Sequence, residues 1–165
     1  MSLSARDLIA KTSSPERAFD ICLNGTLRSR QLELEAELEA AKDASDSLSS
    51  PRVKEIRAEL DELAPQVEDA TVAFRFKGIS HWRLKEIQRR FPTEEKGAAW
   101  DVDAGAPTLI SECLADPKLT PDEVKELLEN GNQRLTDEFV AASMIVCQQG
   151  NEIPKSGRGS AKSRG

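Results

Sequence analysis

A chain of 165 residues that is 32% charged but only 4% aromatic has material for one modest core, and its formal charge of −6 is unevenly spread. Residues 150–165 hold Lys155, Arg158, Lys162 and Arg164 against Glu152, a net +3, so the body carries −9, which argues against a folded part built to grip phosphate backbones. No apolar run approaches the length that spans a bilayer, the opening lacks the basic-then-apolar order of a secretory leader, and the chain reads as cytoplasmic.

Residues 1–18 are polar and read as a flexible lead-in, with a short helix over Leu3 to Lys11 and a turn at Ser14-Pro15-Glu16. Phe19, Ile21 and Leu23 then alternate with Asp20 and Cys22, the period of a half-buried strand. Asn24-Gly25 follows, and the pair predicts a tight β-hairpin.

From about Arg28 the composition turns to Glu, Leu and Ala, strong helix formers, with Leu27, Leu34, Leu38, Ala41 and Leu48 on one seam. Ser50 is placed to cap a second helix with Pro51 at its first position. Its apolar stripe is Val53, Ile56, Leu60, Leu63 and Val67. Two amphipathic helices joined by a few residues fold back on one another, since neither can bury its stripe alone. Pro65 removes one helical hydrogen bond and predicts a kink or an end near Leu63 or Ala64.

Thr71 to Lys77 returns to period two, with Val72, Phe74 and Phe76 inward, and pairs with the strand around Phe19 to Leu23. Ser80 caps "HWRLKEIQRRF", which presents Leu84, Ile87 and Phe91 with Trp82 beside them and stops at Pro92. A loop, "PTEEKGAAWDVDAGAP", leads to a short helix over Thr108 to Ala115. Thr120-Pro121-Asp122-Glu123 is a capping box that opens a helix closing at Gly131. The last helix runs from about Gln133 to Cys147, with Leu135, Phe139, Ala142 and Val146 inward.

The fold class expected is mainly α: an antiparallel helical hairpin, or coiled-coil arm, on a small helical domain with a short two- or three-stranded β element at its base. The segments are a lead-in at 1–18, a β element with the inserted hairpin at 19–77, a helical domain at 78–149 and a disordered basic tail at 150–165.

Catalytic signatures are sparse. His81 is the lone histidine and reads as a polar residue in a first helical turn. Cys22, Cys113 and Cys147 lack CxxC spacing and read as buried free thiols. Glu33, Glu35, Glu37 and Glu39 point around a helix as a solvated face, and "DVDAG" at 101–105 reads as an ordinary turn without the ligands of a calcium loop. No enzyme activity, cofactor or metal is expected. Arg83, Lys85, Arg89 and Arg90 cluster beside Trp82, but acidic neighbours make them an exposed helix face better than a nucleic-acid surface. What remains is interaction through apolar surface. The candidate partner-binding residues are Leu34, Leu38, Ile56, Leu60, Leu63, Trp82 and Trp100.

From Ile21 to Gly150 the order of features resembles a group of tail assembly chaperones encoded by long-tailed phages of actinobacteria. The resemblance rests on "ICLNGTL" before a Glu/Leu/Ala-rich helix pair, then "ATVAFRFKGIS", a Trp-containing helix ending at "RRFPT", "LISECLADPKLTPDEVKELL", and a closing helix rich in small residues. Pro65 and "RFPT" depart from that pattern, in which an uninterrupted second helix and a His-Pro-Pro run are commoner. The resemblance implies a protein that coats the helix-rich tape measure protein before tail tube subunits polymerise, works in the host bacterial cytoplasm, self-associates or contacts tube subunits, and is absent from the mature virion. Other readings of the same surface are a permanent structural or adaptor component of a virion, and a small regulator touching nucleic acid through Arg83 to Arg90.

Overall fold

The computed structural model describes residues 4–44 and 50–148. Among these the chain is mostly helical, with seven helices and a small antiparallel sheet of three strands. Leu48, on the expected helical seam, and the expected basic tail at 150–165 lie outside the described residues.

Helix α1 (Ala5–Lys11) opens with a capping box in which Ser4 and Asp7 bond reciprocally, and it buries none of its side chains. Strand β1 (Glu16–Cys22) begins three residues before Phe19, so the lead-in is shorter than the sequence implied. Residue 24 brings a correction. Asn24 is a helix cap and not a hairpin turn: its Oδ1 accepts from Leu27 N–H at 3.1 Å and its carbonyl from Arg28 N–H at 3.0 Å. Asn serves both roles, and the helix-forming run after it decides between them. Gly25 lies close to the Asn132 side chain, which a Cβ at this position would meet at 2.8 Å and have to displace.

Helix α2 (Gly25–Ala44) and helix α3 (Pro51–Asp69) pack along Leu34, Val53 and Ile56, which are all buried. Arg30 meets Glu59 at 2.8 Å and Arg52 meets Glu37 at 2.6 Å, an order that makes the two helices antiparallel. Ser50 caps α3 as expected, accepting from Val53 N–H. The expected break at Pro65 does not occur, and α3 runs through to Asp69. Proline forfeits one hydrogen bond, but the turn beyond it is held by Ala70 N–H to the Gln66 carbonyl and by the Thr71 hydroxyl to the Val67 carbonyl at 2.6 Å.

Strand β2 (Thr71–Lys77) then pairs with β1 in the register Phe19↔Phe74 and Ile21↔Val72. The helix pair is thus inserted between two adjacent strands. Phe74 and Phe76 are buried, whereas Val72 at the strand's start is exposed. On the opposite face Arg75 bridges Glu16 at 3.3 Å and Asp116 at 3.8 Å, crossing all three strands.

Helix α4 (His81–Arg90) is capped by Ser80 and buries Ile87. Helix α5 (Val102–Cys113) corrects two expectations. It begins six residues before Thr108, because "DVDAG" is its N-terminus: Asp101 Oδ1 accepts from Ala104 N–H at 3.0 Å. Pro107 lies inside the helix and forgoes a single bond. It also stops earlier than Ala115, since Leu114 turns extended and starts β3 (Leu114–Asp116), which adds to β2 across a bulge. Helix α6 (Pro121–Glu129) carries the Thr120–Glu123 capping box as read from sequence. Helix α7 (Gln133–Gln148) buries Leu135, Phe139, Ala142 and Val146, the four residues expected. Its Ser143 is buried too, with the hydroxyl donating to the Phe139 carbonyl at 2.9 Å. The core lies between the Phe74–Phe76 face of the sheet and helices α4 to α7. Among the described residues no helix is long and apolar enough to cross a membrane.

Candidate functional site

The seven candidate partner-binding residues separate by burial. Leu34 is 1% exposed and Ile56 is 0% exposed, both spent on the contact between α2 and α3. Leu38, Leu60 and Leu63 flank that contact half-buried. Trp100 is 7% exposed and packs over Gly105, where any Cβ would collide with its ring and crowd Phe91. Trp82 is the opposite case. It stands 79% exposed in the first turn of α4, in edge contact with the His81 ring and with most of its indole in water. Leu34, Ile56 and Trp100 therefore hold the fold, and Trp82 presents surface.

A second apolar surface was not among the residues singled out from sequence. A groove of about 420 Å³ runs between β1, the base of the α2–α3 pair and α7. Phe19 and Ile21 of β1, Val67 of α3, and Ala141 and Ile145 of α7 line it together with polar Asp20, Gln31 and Thr71, and Ile145 is 40% exposed. Arg28 and Glu138 approach to 4.0 Å across the rim, where Arg28 also donates to Gln31 at 2.6 Å. Only one signal for this groove existed in the sequence. Ala141 and Ile145 are apolar yet lie off the inward stripe of the last helix, and an apolar residue off the stripe marks a second covered face or an offered one.

The groove also borders the sheet's free edge, because β1 pairs on one side only. Gly78 N–H donates to the Pro15 carbonyl at 2.8 Å and Leu23 N–H to the Ala70 carbonyl at 2.9 Å. With the register constant between those bonds, the odd-numbered residues of β1 face β2. The N–H and C=O groups of Ala18, Asp20 and Cys22 consequently point off the edge.

Several charged groups are engaged in surface pairs. Arg83 binds Glu112 through Nε at 3.0 Å and again through Nη2, and reaches Glu86 at 2.8 Å. Those hydrogen bonds raise the Arg83 pKa and hold the Glu112 carboxyl below its ordinary range. Lys85, Arg89 and Arg90 are exposed. Of the four glutamates on α2, Glu33, Glu37 and Glu39 pair with Arg30, Arg52 and Lys42. Among the described residues no group of three or more His, Cys, Asp or Glu is arranged to hold a metal ion.

Two thiols meet in the core. Cys113, the last residue of α5, and Cys147, near the end of α7, have their Sγ atoms 3.6 Å apart. The contact between the two sulfurs, in which either could be the donor, together with Ile79 N–H lowers the Cys147 thiol to about 7, while the same partner and then burial push Cys113 up. Comparison of the chain with protein-family models, with curated proteins and with solved structures finds no match.

Proposed function

We propose that this chain is a tail assembly chaperone of a long-tailed phage, which binds the helix-rich tape measure protein and keeps it in solution until tube subunits replace it. The observation that carries the proposal is an open groove whose lining includes Phe19, Val67 and Ile145, and the exposed Trp82 on α4 adds a separate apolar surface. An amphipathic helix of the client would cover such surfaces, and a body charged −9 favours helices whose apolar stripe is flanked by Lys and Arg. The α2–α3 pair, running unbroken through Pro65, acts in this reading as a helical hairpin arm that extends the binding surface or joins copies of the chain.

Contacts of this kind are individually weak and release quickly, which suits a chaperone that must later be displaced. The protein would accordingly act in the host cytoplasm and be missing from the finished particle. Mass spectrometry of purified virions tests that directly. Absence from particles that contain the tape measure protein supports the proposal, and a stoichiometric presence makes the chain a permanent structural part.

A further inference from the structure

The paired thiols of Cys113 and Cys147 have no part in the binding role proposed above. They are brought together from different helices across 34 residues of sequence, at 3.6 Å, in van der Waals contact. A disulfide needs about 2.0 Å between sulfurs, so the two must close in from van der Waals contact to bond. Their exposures differ in a useful way. Cys113 is fully buried, whereas Cys147 is part-exposed, so a reagent from solvent reaches Cys147 first. The contact with the Cys113 sulfur, and beside it Ile79 N–H, lower the Cys147 thiol, which favours a thiolate there. Cys22 offers an internal reference, being buried at the end of β1 with its sulfur 3.5 Å from the Asn24 carbonyl.

We propose that Cys113 and Cys147 form a thiol–disulfide exchange site, in which Cys147 attacks a low-molecular-weight disulfide of the glutathione class and Cys113 resolves the product into an internal disulfide. In the first step Cys147 loses its proton, its sulfur bonds to one sulfur of the reagent, and the other sulfur leaves as a thiolate that takes up a proton. In the second, Cys113 loses its proton and its sulfur bonds to Cys147 Sγ, breaking the mixed disulfide and releasing the second reagent thiol. Two protein thiols are oxidised and one reagent disulfide is reduced to two thiols. The new bond ties the end of α5 to the end of α7 and closes a loop containing β3, α6 and nearly all of α7.

The test is to incubate the reduced, purified chain with oxidised glutathione in native buffer, quench with acid, alkylate and map the peptides. The expected result is a Cys113–Cys147 cross-link with Cys22 still free, and a melting temperature higher by about 10 °C that reverts on reduction. Cys113→Ala should stop at a glutathione adduct on Cys147, while Cys147→Ser should leave Cys113 unmodified. Three free thiols after exposure to excess oxidised glutathione, or modification of Cys22 as fast as Cys147, would overturn the assignment, and both readings come from the wild-type chain whether or not the variants fold.

Discussion

The Phe139 ring of α7 meets the Phe74 ring of β2 nearly edge-on, with centroids 4.9 Å apart and planes at 72°, and it also lies 6.0 Å from the Phe76 ring. This contact fastens the last helix to the sheet and so fixes the wall of the groove opposite β1. Phe139 is fully buried, and its truncation leaves a cavity that the flanking strand cannot collapse into. Phe139→Ala should cost about 3–5 kcal/mol in urea unfolding. Phe139→Leu, which keeps most of the volume, should cost less than half as much.

Pro65 sits on the exposed side of an unbroken α3. Replacing it with alanine restores one backbone hydrogen bond and removes a steric conflict, against a small gain in unfolded-chain entropy. Pro65→Ala should therefore stabilise the chain by about 1–2 kcal/mol, read as a rise in the thermal midpoint. A fall would mean that α3 is bent at this point in solution.

The Arg83–Glu112 pair gives stability a defined pH dependence. The Glu112 carboxyl is depressed below its ordinary value of 4.5, first by the hydrogen bond from Arg83, then by Coulomb attraction. A depressed carboxylate stabilises the fold fully above its unfolded value and loses that contribution as pH falls through the lower folded value. Stability curves of wild type and Arg83→Gln should be furthest apart at neutral pH and converge in strong acid. A constant separation down to the lowest pH would contradict the assignment.

Cys147 should react as an acidic thiol. With its sulfur in contact with the Cys113 sulfur and beside Ile79 N–H, its alkylation rate by iodoacetamide should rise through a midpoint near pH 7, below the ordinary thiol value of 9.0. Cys113→Ala removes the first of those contacts and should move the midpoint upward.

The contribution of sequence differs from element to element. The Thr120–Glu123 capping box was legible because all of its determinants lie within four residues, and the β1–β2 pairing because the period changes at both ends of the helix pair. Asn24-Gly25 misled because the same residues suit a hairpin turn and a helix start, and the choice belongs to the neighbouring chain. Asp101 to Pro107 misled for a related reason: a proline inside a helix looks like a loop's end until the burial of Ala106, Leu109 and Ile110 outweighs one lost bond. Beyond the off-stripe Ala141 and Ile145 the groove was not legible, since its lining comes from β1, α2, α3 and α7, distant parts of the chain. Nor could the two tryptophans be told apart, because Gly105 under Trp100 and open solvent around Trp82 are tertiary facts.

Trp82 separates folding from binding. With its ring mostly in water, Trp82→Ala should change stability by no more than about 0.5 kcal/mol. If it anchors a client helix, the same substitution should weaken that complex at least tenfold, as should Ile145→Glu in the groove.

The most direct measurement is light scattering of the proposed client, a purified, helix-rich segment of a long-tailed phage tape measure protein, with and without the chain at stoichiometric concentration. The account predicts that the segment stays soluble in a sedimentable complex with the wild-type chain and aggregates in the presence of the Trp82→Ala, Ile145→Glu double variant. Equal aggregation with the wild-type chain, the double variant and buffer alone would contradict it.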